Sequence, residues 1–255
     1  MNIGASTSCF YPLETELALQ RVIDLGFKKT EIFFNSVSET FPDFTRELRQ
    51  RADDGGVDIL SVHSFSSSMD NITVFGEYQR RYDDFIDWYK MTCHACAELG
   101  AKFVVVHGAF ANSKRPLPEE HYFERFAGLV EIGKQEGVKV CQENVVRFRS
   151  QSVEFLKHMR DYLGDDFNMV FDVKQAVRSG YDPLYVAREM KDSIVHLHLS
   201  DHNAKEDCLP PGKGDFDFRK LFEIVEPESA VIELYSIGLD VEKELELSKK
   251  YLENL

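Results

Sequence analysis

Four short β-branched runs in this chain each end on a residue of metal-ligand type. Residues 138–145, VKVCQENV, deliver Glu143; MVFDVKQA delivers Asp172, IVHLHLSD delivers His198 and AVIELYS delivers Glu233. Strand ends of one sheet converge, so four ligands far apart in sequence can share one ion. Three carboxylates and one imidazole form a hard, oxygen-rich set that favours Mn²⁺, Mg²⁺ or Co²⁺ and also accepts Zn²⁺. One divalent metal ion is the expected cofactor, and a metal-dependent enzyme the expected class.

His63 and His107 end two earlier runs. There they can contact substrate hydroxyls or orient ligands, against the plainer reading of hydrogen-bonded core histidines. His196 points to the same face as His198 one layer deeper, which suits a packing or supporting role. Cys93-His94-Ala95-Cys96 has CxxC spacing but lies inside a helical stretch without a second ligand pair, so packing is expected. Gly212-Lys213-Gly214 follows the seventh run, where barrels often bind phosphate through amides and a cation; an ordinary turn is the alternative.

These runs are positioned by a strict alternation of strand and helix. Strands are expected at 2–6, 30–34, 57–62 and 102–106, then in the Glu143, Asp172, His198 and Glu233 runs. Pro12 opens a helix that Gly26 stops, and further helices are expected at 40–53, 77–99, 117–136, 151–163, 182–190, 218–225 and 240–255. Eight strands and eight helices, with continuous apolar strands, argue for an α/β fold: a single (β/α)8 TIM barrel over residues 1–255, in preference to an open doubly wound sheet. In such a barrel active-site residues sit at the C-terminal strand ends, where all six residues fall. The polar stretch 64–76 is longer than a minimal connection and suits a loop folding over a ligand.

The net charge of −14 and sequence pI near 5.0 oppose a nucleic-acid partner, because that affinity comes from Lys and Arg neutralising phosphates. A small-molecule substrate is expected instead. No apolar run approaches the roughly 18 residues of a membrane span, and the first residues lack the pattern of a signal peptide. Five scattered cysteines do not form a disulfide framework. A cytoplasmic protein without membrane partners is expected, and a homo-oligomer is compatible with everything above.

The quoted motifs, with TEIFF at Glu31, SVH at His63, VVVHG at His107, LPPGKGDFDF at 209–218 and VIEL at Glu233, resemble the xylose-isomerase-like barrel superfamily along the whole chain. That superfamily includes sugar isomerases and epimerases, hydroxypyruvate isomerases and type IV AP endonucleases. The resemblance to ketose 3-epimerases implies one divalent ion held by Glu143, Asp172, His198 and Glu233. The trinuclear endonuclease pattern needs a histidine three residues after the Asp and another after the seventh strand. Here Gln175, assigned to substrate contact with His63, His107 and Lys213, and the non-histidine stretch 206–210 stand in those places.

The expected activity is isomerisation or epimerisation of a sugar or sugar phosphate through proton abstraction beside a carbonyl and an enediolate. Glu143 and Glu233 double as proton-transfer groups, since strands five and eight approach the substrate from different directions. The rivals are a metal-dependent hydrolase or lyase on the same barrel, of AP-endonuclease type, and a non-catalytic sugar-binding protein.

Overall fold

Strands Gly4–Ser6 (β1), Lys29–Phe33 (β2), Asp58–His63 (β3), Phe103–Val106 (β4), Lys139–Glu143 (β5), Asn168–Asp172 (β6), Ile194–Leu199 (β7) and Ser229–Ile232 (β8) pair in sequence order, all parallel. Pairing of Gly4 with Val231 and Ala5 with Ile232 brings β1 back to β8 and closes the barrel. This computed structural model describes residues 3–66, 69–235 and 238–255. A Cβ at Gly4 would stand 2.7 Å from the Lys29 carbonyl oxygen, so β1 needs glycine to approach β2.

Around the barrel run Thr15–Asp24 (α1), Pro42–Gly55 (α2), Gln79–Glu98 (α3), Glu119–Glu136 (α4), Val153–Leu163 (α5), Val173–Arg178 (α6), Pro183–Met190 (α7), Phe218–Ile224 (α8) and Val241–Glu253 (α9). Local chemistry sets their ends. Ser152 accepts from the Phe155 N–H and starts α5, while left-handed Gly137 stops α4. Sequence reasoning expects eight helices; the described residues contain nine. The extra one, α6, begins directly at the end of β6, because the Asp172 carboxylate accepts the Gln175 N–H at 2.9 Å and caps a helix too short to show a periodic pattern.

Alternation along the strands separates two apolar regions. Val104, Val106, Val140 and Phe171 belong to the large core that also takes in the helices. Phe103, Val105, Cys141 and Val170 form a separate buried cluster, and His196 stacks on Phe103 with ring centroids 5.8 Å apart. The residues two further along these strands, Glu143, Asp172 and His198, share the inward-facing phase and end above that plug. No helix among the described residues is long and apolar enough to cross a membrane.

Candidate active site

Glu143, Asp172, His198 and Glu233 each offer a ligand atom, and these four atoms lie within 4.8 Å of one another. All four residues are buried. The QEN sequence explains how Glu143 is held. Gln142 points away from the barrel axis, takes the Tyr122 hydroxyl hydrogen at 2.7 Å and donates to the Val106, His107 and Glu143 carbonyls at 3.0 Å each. Asn144 donates to the Asp172 carbonyl at 2.9 Å and accepts the Asp172 N–H at 2.8 Å. The two amides tie β5 to both neighbours, so Glu143 and Asp172 enter the site from a braced edge.

His198 is oriented from behind. Its Nε2 lies 3.1 Å from Oε2 of the fully buried Glu31, which also accepts hydrogen bonds from Ser6 at 3.0 Å and Ser61 at 2.8 Å. A hydrogen on Nε2 directed at Glu31 leaves Nδ1 facing the cluster. There Nδ1 stands 3.5 Å from Glu143 Oε1, 3.5 Å from Glu233 Oε2 and 3.9 Å from Asp172 Oδ2. Burial opposes the charged imidazole, but the Glu31 and Glu233 carboxylates outweigh it and hold His198 well above its ordinary range.

The donor set fits a cation. Among the described residues His198 Nδ1, Glu143 Oε2 and Asp172 Oδ2 are buried without a hydrogen-bond partner. His107 and Lys174 approach the two carboxylates to 2.9 Å, yet neither contact has hydrogen-bond direction. Inward-facing oxygen lone pairs without donors are costly in a buried site unless positive charge sits among them.

His63 and His107 also converge on Glu143. Their Nε2 atoms are 2.9 Å apart, and from Glu143 Oε2 they lie at 3.6 and 2.9 Å. These three form a second group with metal-ligand spacing. Burial pushes Glu143 up, but His107, with His198 and His63, holds it well below the usual carboxylate range. Burial lowers His107; His63 is raised, its burial outweighed by the neighbouring Glu143 carboxylate. Only one hydrogen can occupy the contact between the two imidazoles.

Gln175 accepts the Val146 N–H through Oε1 at 3.1 Å, fastening the loop after β5 to α6. Gly212, Lys213 and Gly214 lie in the turn that follows Asp201. Both glycine N–H groups donate to Asp201 Oδ2, at 2.9 and 3.0 Å, and Lys213 Nζ lies 3.7 Å from Glu244. A Cβ at Gly214 would collide with the Asp201 carboxylate, so the glycine serves this closed turn. Cys93 and Cys96 are buried on α3, and burial pushes the Cys93 thiol up to about 12 and Cys96 well above the usual range. All five cysteines are free thiols. His196 stands below the site, with Nδ1 2.6 Å from Ser229 Oγ and Nε2 3.2 Å from Ser61 Oγ.

Sequence reasoning missed Lys174. This lysine is 1% exposed, and its Nζ lies 2.9 Å from Asp172 Oδ2 and 2.8 Å from Glu233 Oε2. The available signal was a lysine inside an apolar motif two positions after a candidate ligand. Burial pushes Asp172 up to about 7, with Glu233 and Glu143 adding and Lys174 opposing; at Glu233 burial is outweighed by Lys174 and His198, which hold it far below the carboxylate range. The Tyr235 hydroxyl donates to Glu233 Oε1 at 3.3 Å, and Tyr235 also lines a 610 Å³ cleft with Arg178, Asn203, Lys205, Asp207 and Cys208.

The chain belongs to the xylose isomerase-like TIM barrel family, whose model it matches over residues 19–251. An uncharacterised protein of Mycobacterium leprae (strain TN) is 27% identical over 241 residues, covering 84% of this chain and 80% of that protein. An inosose dehydratase of Clostridium perfringens is 26% identical over 161 residues, covering 50% of this chain and 54% of the enzyme. Among solved structures, a D-tagatose 3-epimerase-like protein superposes with a TM-score of 0.78 at 21% identity, covering 100% of this chain and 98% of the other. The IOLI protein with a binding zinc atom superposes at 0.79 and 17% identity, with 100% and 97% covered. At these identities the structural likenesses establish the fold alone.

Proposed function

We propose that this protein is a divalent-metal-dependent isomerase or epimerase of a small sugar or sugar phosphate, with Glu143, Asp172, His198 and Glu233 as the metal ligands. The observation that carries the reading is His198 Nδ1, buried without a hydrogen-bond partner and facing three carboxylate oxygens at 3.5 to 3.9 Å. The similarity to a D-tagatose 3-epimerase-like protein and to a zinc-bearing barrel supports it. Manganese, magnesium or cobalt suits the oxygen-rich set, and zinc suits it also.

When bound, the ion supplies Lewis acidity to adjacent carbonyl and hydroxyl oxygens of the sugar and so acidifies the C–H beside the carbonyl. Glu143 and Glu233 hold and return the proton. They come from strands three apart in the barrel order, one from each side of His198, which suits removal on one face and return on the other. His63 and His107 meet the substrate side of Glu143 and donate to sugar oxygens, and Gln175 does so through Nε2. Lys213, paired with Glu244, stays outside this reading.

A second reading is a metal-dependent hydrolase or lyase. It is favoured by the separate His63, His107 and Glu143 group and by the inosose dehydratase relative. Two ions sharing Glu143 would serve a hydrolytic site. Metal content tests the ligand set and the two-ion form of the rival, and deuterium exchange into a ketose separates the isomerase from a one-ion lyase. Wild type should hold one ion per chain, and Asp172→Ala and His198→Ala should each abolish stoichiometric metal, because each removes a ligand. Two ions per wild-type chain would favour the rival, and full occupancy in both variants would sink the assignment.

A further inference from the structure

Among the described residues Lys174 is the one buried lysine, and it stands among the proposed ligands. An isolated buried ammonium is strongly disfavoured, so its place has to be explained by its partners. Those partners are two of the four ligands, Asp172 Oδ2 at 2.9 Å and Glu233 Oε2 at 2.8 Å, with the Tyr235 ring centroid 4.7 Å from Nζ. The same two oxygens face His198 Nδ1 at 3.9 and 3.5 Å. The ammonium and a metal ion would therefore draw on the same lone pairs.

We propose that Lys174 is a resident counter-cation of the metal site, which holds Asp172 and Glu233 together before metal enters and weakens the ion's hold afterwards. The proposal rests on the reading of Glu143, Asp172, His198 and Glu233 as ligands. Charge explains why such a residue is useful. Three carboxylates exceed a divalent ion by one negative charge, and the Lys174 ammonium makes the loaded set neutral. A neutral set repels an anionic substrate state less than a negative one and leaves the ion a stronger Lewis acid. The cost is affinity, because like charges then share one buried site. A lysine that merely braced the ligands would have the opposite sign: removing it would loosen the site and weaken metal binding.

The experiment is titration of Zn²⁺ and Mn²⁺ into metal-free protein against a chromophoric chelator, for wild type, Lys174→Met, Lys174→Gln and Lys174→Arg. Lys174→Met and Lys174→Gln should bind each metal about tenfold more tightly or better, a change of the size that neighbours of metal ligands impose. Metal-free thermal stability should fall in both, whereas Lys174→Arg, which keeps the charge, should bind no more tightly than wild type. If Lys174→Met fails to fold, Lys174→Gln, which keeps an N–H donor without charge, carries the same expectation. Stoichiometric binding by wild type with equal or weaker binding by both uncharged variants would overturn the role of Lys174 and leave the ligand set standing. Absence of binding in all four proteins would overturn both.

Discussion

Glu31 fixes His198 from the side away from the site. Ser6, Ser61 and His198 are all directed at its two oxygens, which are fully buried. Glu31→Gln keeps an acceptor near His198 Nε2 but removes the charge that makes Nδ1 a better donor to metal. Metal affinity should drop by about 10- to 100-fold, the usual consequence of losing a partner behind a ligating histidine. Chelator competition measures this, and an unchanged dissociation constant would mean that His198 is oriented by the backbone alone. The CxxC cysteines carry no comparable expectation, since burial keeps their thiols protonated and away from metal chemistry.

At the scale of elements, the segment after β3 is anchored on a buried carboxyl, that of Asp70. Asp70 is fully buried there, receiving the Ser66 hydroxyl at 2.9 Å and the Tyr89 hydroxyl at 3.0 Å. Arg125 of α4 grips the Val74 and Gly76 carbonyls at 2.6 Å each. The expected loop spans 64–76, of which residues 67 and 68 lie outside the described residues. Burial pushes Asp70 from 3.8 up to about 7, with the Ser66 and Tyr89 hydroxyls opposing. An opened segment therefore ionises before the closed one does. The closed state has its full contribution from neutral Asp70 below 3.8 and loses it progressively as pH rises through about 7. Hydrogen-exchange protection of residues 69–76, corrected for the intrinsic rate, should fall over that interval, and Asp70→Asn should flatten the dependence. Protection that is independent of pH in the wild type would show that Asp70 does not control this opening.

For the whole molecule, the barrel was legible because parallel strands buried on both faces read as continuous apolar runs, and six of them end on chemically informative residues. The convergence of Glu143, Asp172, His198 and Glu233 was readable for the same reason, since closure brings strand ends together whatever their sequence separation. What escaped was chemistry that depends on the phase of a single turn. Asp172 starts α6 as well as ending β6, and that change of period turns Lys174 back onto Asp172 and Glu233. Glu31 was visible only as part of a motif, because its partner His198 lies 167 residues away. Gly212 and Gly214 read equally as a phosphate cradle or a turn, because their shared partner Asp201 lies eleven and thirteen residues earlier. The central claim is that this site moves a proton next to a sugar carbonyl, and NMR of a panel of ketoses in D₂O with metal-loaded protein tests it most directly. Wild type should exchange hydrogen for deuterium at one carbon beside the carbonyl. Glu143→Gln and Glu233→Gln should each lose turnover by about 10² or more and each wash deuterium into only one epimer. Exchange at no carbon of any ketose, with the metal site full, would contradict the account.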